Sequence, residues 1–128
     1  MSRRCPDTSL EKFMDSLQQR ARISREWNNF FDQHPIILCP ITGDIPFPDL
    51  KDLESEESFD LVFDSMLPQI APPYMGLPGL SFATSQTKQK IPLGVQFISR
   101  KFREDLLLKV GYDLENYYPK IEPVLPAF

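Results

Sequence analysis

Two short apolar runs, residues 79–84 and 91–99, are separated by only six polar residues and are followed at once by an amphipathic segment. Runs of this kind joined by a short polar loop are typical of a β-hairpin. Both faces of the second run are apolar, because Leu93 and Phe97 alternate with Ile98. Strands that are apolar on both faces occur inside sheets that are covered on both sides. The sequence therefore predicts a covered hairpin followed by a helix.

Three segments show the apolar spacing of helices that bury one face. The predicted helices cover residues 9–32, 56–67 and 102–118. The first begins with a capping box formed by Thr8 and Glu11, and Ser55 caps the second. The second has the apolar stripe Phe59, Val62, Phe63, Met66 and Leu67, and the third has Phe102, Leu106, Leu107, Val110, Leu114 and Tyr117. We therefore expect one buried face on each of these helices.

Thirteen prolines mark most of the predicted boundaries. Pro68 is expected to end the second helix, and residues 69–74, with Pro72 and Pro73, to form an extended connector. A short buried strand is predicted at residues 36–39. Together these patterns predict an α/β fold with three main helices and about three short strands, at residues 36–39, 79–84 and 92–99, of which the last two form a hairpin.

Several of these segments also resemble a known family. G-L-P-G-L-S at residues 76–81 and P-L-G-V-Q-F-I-S-R-K-F-R-E-D-L-L-L at residues 92–108 are similar to the C-terminal end of the amidase signature family. Members show a G-L-P-(A/G)-(I/L)-S strand, a turn, a (L/V)-P-(V/L)-G-(V/L)-Q strand and a leucine-rich helix. R-E-W-N-N-F-F and I-I-L-C-P-I fit the preceding helix and strand. The resemblance spans residues 10–126 and corresponds to about the last quarter of a typical member.

The resemblance implies a partial αβα amidase fold, with residues 1–128 forming a single partial domain whose ends, 1–8 and 119–128, are loose or extended. The family hydrolyses amide C–N bonds with a Ser–cis-Ser–Lys triad in a G-G-S-S-G-type stretch. This sequence has no such stretch, so no residue is assigned as catalytic and no cofactor or metal is expected. By the same analogy, the predicted wall of the substrate pocket consists of Ile41, Phe47, Tyr74 and Met75.

Other reactive pairs are weak candidates. A nucleophilic Cys39 would need a nearby base, and the sole histidine, His34, lies five residues earlier on the predicted strand. One histidine and two distant cysteines also lack the spacing of metal ligands. Ser81 and Ser85 have lysines only on the neighbouring polar loop, which offers no burial to produce a neutral lysine base. We interpret all of these residues as structural.

Charge and hydropathy restrict the partners. The net charge of −4 and the isoelectric point near 4.9 argue against nucleic acid or an anionic membrane surface. No run approaches the roughly 20 apolar residues that cross a bilayer, and no secretory signal is visible. Two cysteines give no disulfide framework and suit a reducing compartment. The expected location is the cytoplasm.

Three functions remain open at this point. The chain is a C-terminal amidase fragment that is inactive alone, one half of a split amidase that needs a complementary N-terminal chain, or a non-enzymatic protein-interaction module. The expected partners are such a complementary chain, or a second copy bound through exposed apolar faces of the sheet.

Overall fold

The structure, a computed structural model, describes residues 7–118. They fall into two compact units that divide between His34 and Pro35, and each is described by itself. The single partial domain remains a prediction. The loose ends predicted at 1–8 and 119–128 lie outside the described residues, apart from positions 7 and 8.

The first unit contains one long helix, α1 (Leu10–Gln33), which confirms the predicted helix. Its N-cap is Ser9, whose hydroxyl accepts a hydrogen bond from the Lys12 backbone N–H at 3.3 Å. The predicted capping box with Thr8 as the cap is therefore wrong by one residue. Serine and threonine are both good caps, and the sequence places them side by side.

A three-stranded antiparallel sheet forms the centre of the second unit. Its strands are β1 (Ile36–Pro40), β2 (Gly79–Gln86) and β3 (Pro92–Ser99), in the order β1-β3-β2. The predicted strands and hairpin are confirmed. Residues directly opposite each other share a face of the sheet, so Leu38, Phe97 and Leu80 lie on one face and Gln96 lies on the other.

The hairpin closes through a short turn after β2. The Thr87 N–H donates to the Ile91 carbonyl at 2.9 Å, and the Lys90 N–H donates to the Thr87 carbonyl at 2.9 Å. Lys90 has a φ of 62°, in the left-handed region. A left-handed residue at the end of a short loop lets the two strands keep their register.

The last helix, α4 (Glu104–Tyr117), covers the face of the sheet that carries Leu80. It approaches closely at Gly111, where a Cβ would lie 2.9 Å from Leu80 Cδ2. Leu107 is 3% exposed, and the Phe82 ring packs at 5.6 Å from the Tyr118 ring. Leu38, on the same face but on β1, is 61% exposed. The helix therefore covers β2 and β3 more fully than β1.

Two residues at the ends of this predicted helix depart from the expected stripe. Phe102 lies before α4, has a φ of 62° and is 86% exposed. Tyr117, in the last turn, is 84% exposed. At the helix start, the Arg103 guanidinium donates to both Asp105 carboxylate oxygens at 2.9 and 3.1 Å, which lowers the pKa of Asp105. This pair stabilises the folded chain above the ordinary pKa of aspartate, and the contribution is lost as the pH falls through the lowered value.

Between β1 and β2 the chain forms a 3₁₀ turn, Lys51–Leu53, and two short helices, α2 (Glu56–Ser65) and α3 (Leu67–Met75). Gln96, on the face of the sheet opposite Leu80, contacts α3 at Pro68. Ser55 caps α2 as predicted, accepting from the Ser58 N–H at 3.1 Å. The expected stripe is correct for its first three residues, Phe59, Val62 and Phe63, which are half-buried. Met66 and Leu67 are 38% and 54% exposed because α2 has already ended and the chain has changed direction.

The predicted extended connector at residues 69–74 is wrong, because α3 occupies this stretch. Pro68 lies in its first turn, where a missing N–H costs nothing. Pro72 and Pro73 lie inside the helix, and Gly76 ends it with a φ of 68°. Each interior proline removes one N–H donor from the hydrogen-bond ladder of α3.

Candidate functional site

The second unit contains an open cleft of about 680 Å³. Three separate parts of the chain form its walls: the loop after β1, the junction of α2 and α3, and the start of β3. The lining residues are Pro40, Ile41, Thr42, Gly43, Asp44, Ile45, Pro46, Phe47, Val62, Ser65, Met66, Gln69, Pro92, Leu93 and Gly94. Most of these side chains are apolar, which is usual for sites that bind small molecules.

A backbone hydrogen bond holds the loop wall against the end of α2. The Gly43 N–H donates to the Ser65 carbonyl at 2.7 Å. Ser65 is 9% exposed, and its hydroxyl donates to the Val62 carbonyl at 2.7 Å. Within the loop, the Ile45 N–H donates to Asp44 Oδ1 at 2.7 Å. The loop is therefore fixed although it has no regular secondary structure.

Gly94 allows the loop to pack directly on the sheet. A Cβ at this position would lie 2.9 Å from the Phe82 carbonyl oxygen and 3.0 Å from Ile41 Cδ1. The first of these atoms belongs to the backbone of the neighbouring strand and cannot move freely. A residue without a side chain is therefore required for Ile41 to lie against β3 at this wall of the cleft.

Gln96 holds a second wall of the cleft, the junction of α2 and α3, against the sheet by hydrogen bonds. Its side-chain amide nitrogen donates to the Pro68 carbonyl at 2.8 Å and to the Pro40 carbonyl at 3.3 Å. In an uninterrupted helix the N–H of residue 72 would donate to the carbonyl of residue 68, but Pro72 has no N–H. Gln96 thus supplies, from the sheet, the donor that α3 lacks.

Replacing Gln96 with methionine removes this donor and keeps a side chain of similar length. We expect the free energy of unfolding of the chain to fall by about 1–3 kcal/mol, because the Pro68 carbonyl loses its partner. Urea titration followed by circular dichroism measures the change. Gln89→Met on the exposed hairpin loop is the control and should change stability by less than about 0.5 kcal/mol. Equal effects of the two variants would show that the bridge contributes nothing.

The predicted pocket-wall residues separate into two pairs. Ile41 and Phe47 line the cleft. Tyr74, 49% exposed, and Met75, 3% exposed, lie at the end of α3 and do not belong to the lining. A substrate-binding role for all four remains a prediction. The structural roles of Gln96 and Gly94 were not predicted from the sequence. A lone amide and a glycine within an otherwise apolar strand were the available signals.

The polar groups of the cleft are few. Among the described residues, its lining includes one serine and one carboxylate, Ser65 and Asp44, and no lysine, histidine or cysteine. The other reactive residues considered from the sequence lie outside the cleft lining. Ser81 and Ser85 are exposed on β2, and Cys39 is half-buried opposite Gln96. The His34 ring packs 4.7 Å from the Phe30 ring. Residues 7–118 contain no group of three or more side chains suited to a metal ion. The cleft is thus suited to contact a ligand, and it contains no activated nucleophile.

Comparison with known proteins identifies the family. A family model described as Amidase matches residues 5–108. The chain belongs to the amidase family. It is 32% identical over 107 residues to a glutamyl-tRNA(Gln) amidotransferase subunit from Desulforapulum autotrophicum, covering 84% of this chain and 21% of that protein. It is 30% identical over 108 residues to indoleacetamide hydrolase from Bradyrhizobium diazoefficiens, covering 84% of this chain and 20% of that protein.

Solved structures of amidase relatives have the same fold over this region. The corresponding glutamyl-tRNA(Gln) amidotransferase subunit of Thermotoga maritima aligns with a TM-score of 0.68 at 24% identity, over 86% of this chain and 23% of its own. A 6-aminohexanoate cyclic dimer hydrolase aligns with a TM-score of 0.67 at 22% identity, over 89% and 26%. These matches confirm the predicted α/β amidase-type fold. The chain spans about a fifth of the length of the curated relatives it matches.

In the part of the chain that the structure describes, none of the helices has the length and apolar character needed to cross a membrane. The cytoplasmic location remains a prediction from the sequence.

Proposed function

We propose that this chain supplies the C-terminal part of an amidase fold and does not hydrolyse amides by itself. In this proposal it contributes three strands of the sheet and one wall of the acyl pocket, and another amidase portion contributes the Ser–Ser–Lys triad. The observation that carries the proposal is the family match over residues 5–108, combined with coverage of only about a fifth of each relative.

The geometry of the cleft supports a role in binding and not a role in catalysis. Its one serine, Ser65, uses its hydroxyl to donate to a backbone carbonyl at the end of α2. A serine nucleophile would need a base within hydrogen-bond reach, and the one carboxylate of the described lining, Asp44, instead accepts from the Ile45 N–H. The apolar side chains beside it, including Ile41 and Phe47, suit the uncharged part of an amide substrate.

The names of two relatives suggest the reaction class. One hydrolyses indoleacetamide and another hydrolyses a cyclic dimer of 6-aminohexanoate, and both compounds are amides. We propose amide C–N hydrolysis as the activity to which this chain contributes, in the cytoplasm.

A replacement experiment tests the proposal. The final fifth of the Bradyrhizobium indoleacetamide hydrolase is exchanged for this chain, and hydrolysis of indoleacetamide is measured. We expect activity above that of the truncated hydrolase, and none from this chain alone. Activity of the isolated chain would refute the non-catalytic assignment. A chimera that folds but is no more active than the truncated enzyme would refute the proposed position in the amidase fold.

The same materials separate a split enzyme from an inactive fragment. Here the truncated hydrolase and this chain are mixed as two polypeptides. Activity on mixing supports a split enzyme that assembles from two complementary chains. Activity only in the covalent chimera supports a fragment that works within one polypeptide. The interaction-module alternative is favoured by one observation, the exposed apolar face of α1.

A further inference from the structure

Helix α1 has an apolar face at its N-terminal half that is open to solvent. Leu10, Phe13, Met14 and Leu17 are 77%, 53%, 49% and 40% exposed. Their spacing of three, four and seven residues places them on one side of the helix. Four large apolar side chains grouped on a helix are typical of a binding surface. We call these four residues the apolar stripe.

After the apolar stripe, the next two positions on the same side of α1 carry small side chains. Ala21 and Ser24 follow Leu17 at the spacing that continues the apolar stripe. Within residues 10–24, large side chains are followed by small ones, and this segment fits the same segment of a second copy that runs in the opposite direction. In that arrangement the N-terminal part of the apolar stripe on each helix lies on Ala21 and Ser24 of its partner, and the two Leu17 side chains lie near the centre.

The charges beside the apolar stripe have the same antisymmetric distribution. Glu11 and Asp15 lie on one flank of the N-terminal half, and Arg22 and Arg25 lie on that same flank farther along. In an antiparallel pair related by a two-fold axis, equivalent flanks face each other. An axis near Gln18 places Glu11 opposite the Arg25 position and Asp15 close to the Arg22 position. A parallel pair would instead place this flank against the other flank of the partner and would not join these charges.

One intrachain ion pair involves this flank. Arg22 Nη1 lies 3.2 Å from Glu26 Oε1, and the two side chains are 65% and 61% exposed. Exposed pairs of this kind contribute little to stability, so Arg22 can exchange its partner at small cost.

From the apolar stripe and its charged flank, we propose that two copies of this chain associate through antiparallel α1 helices. This interface lies on α1 alone and goes beyond the proposed part in an amidase. The partner is a second copy because the side-chain sizes and charges of one α1 helix are complementary to those of another α1 helix in the antiparallel orientation.

Sedimentation equilibrium of the full chain over a wide concentration range measures the association. Leu17→Glu places a charge at the centre of the apolar contact and should raise the dimer dissociation constant at least about a hundredfold. Gln19→Glu adds the same charge on the opposite side of the helix and should leave the constant unchanged. Circular dichroism verifies that both variants remain folded. A wild-type chain that is monomeric throughout, or equal effects of the two variants, would overturn the proposal.

Charge reversal and cross-linking test the orientation. Chains with Glu11→Arg and Asp15→Arg, or with Arg22→Glu and Arg25→Glu, should each dimerise about tenfold more weakly, and an equimolar mixture should recover the affinity. In a background with Cys5→Ser and Cys39→Ala, Glu11→Cys should form a disulfide with Arg25→Cys on another chain and not with itself. Self-linking of Glu11→Cys would indicate a parallel pair and overturn the proposal.

Discussion

Replacing Leu107 with alanine is expected to lower the free energy of unfolding by about 2–5 kcal/mol, which is the range for removing a fully buried leucine side chain. Leu107 is 3% exposed on the face of α4 that packs on β2 and β3. Deleting the side chain removes the favourable free energy of transferring it from water, and it leaves a cavity between the helix and the sheet. Few other described residues are as buried, so this single contact carries a large share of the packing in the second unit.

The adjacent residue is a matched control. Leu108 has the same side chain and is the next residue of α4, but it is 66% exposed. Leu108→Ala should change the free energy of unfolding by less than about 0.5 kcal/mol. Urea titration of both variants by circular dichroism gives the comparison. If Leu108→Ala were as destabilising as Leu107→Ala, α4 could not pack on the sheet in the orientation described.

Gly94→Ala is expected to destabilise the chain by about 1–3 kcal/mol, as is usual when an extra carbon is forced into a packed site. The added Cβ would lie 2.9 Å from the Phe82 carbonyl oxygen and 3.0 Å from Ile41 Cδ1. The strand or the loop must shift to accept it. Because Ile41 lines the cleft, the shift should also alter the shape of that wall.

Gly43→Ala is the control, since it adds the same atom to another glycine of the cleft. Its Cβ would lie no closer than 3.5 Å to Ser65, an ordinary contact. We expect it to change stability by less than about 0.5 kcal/mol. Combining Gly94→Ala with Ile41→Ala removes one of the two close contacts, and a double-mutant cycle measures how much stability is recovered. No coupling between the two positions would show that the loop does not pack on β3 at Gly94.

Periodic patterns predicted most of the secondary structure because they report which side of a segment is buried. The hairpin, α1, α2 and α4 were predicted from the alternation or helical spacing of apolar residues, and the first strand from a short apolar run after Pro35. Apart from α3, the exceptions lie at the ends of elements. Phe102 fits the spacing of α4, but its left-handed backbone places it before the helix, and spacing alone does not report backbone conformation.

The third helix could not be predicted from local preferences. Two consecutive prolines normally argue against a helix, and Pro72–Pro73 lie inside α3. The donor that partly compensates for them comes from Gln96, which is remote in sequence. The cleft is similar, because its walls come from three segments that only the folded sheet brings together. Analogy with a family predicted Ile41 and Phe47 as pocket-wall residues, whereas the contacts that position them are visible only in the folded structure.

The strand order has a consequence for how the chain is made. Among residues 7–118, β1 pairs only with β3, although α2, α3 and β2 intervene between them in the chain. During synthesis β1 therefore leaves the ribosome long before its hydrogen-bonding partner exists. The local β2–β3 hairpin can form as soon as both of its strands have emerged, whereas docking of β1 must close a long loop. We expect the isoleucine-rich β1 segment to be the part of the nascent second unit that most needs protection by a chaperone.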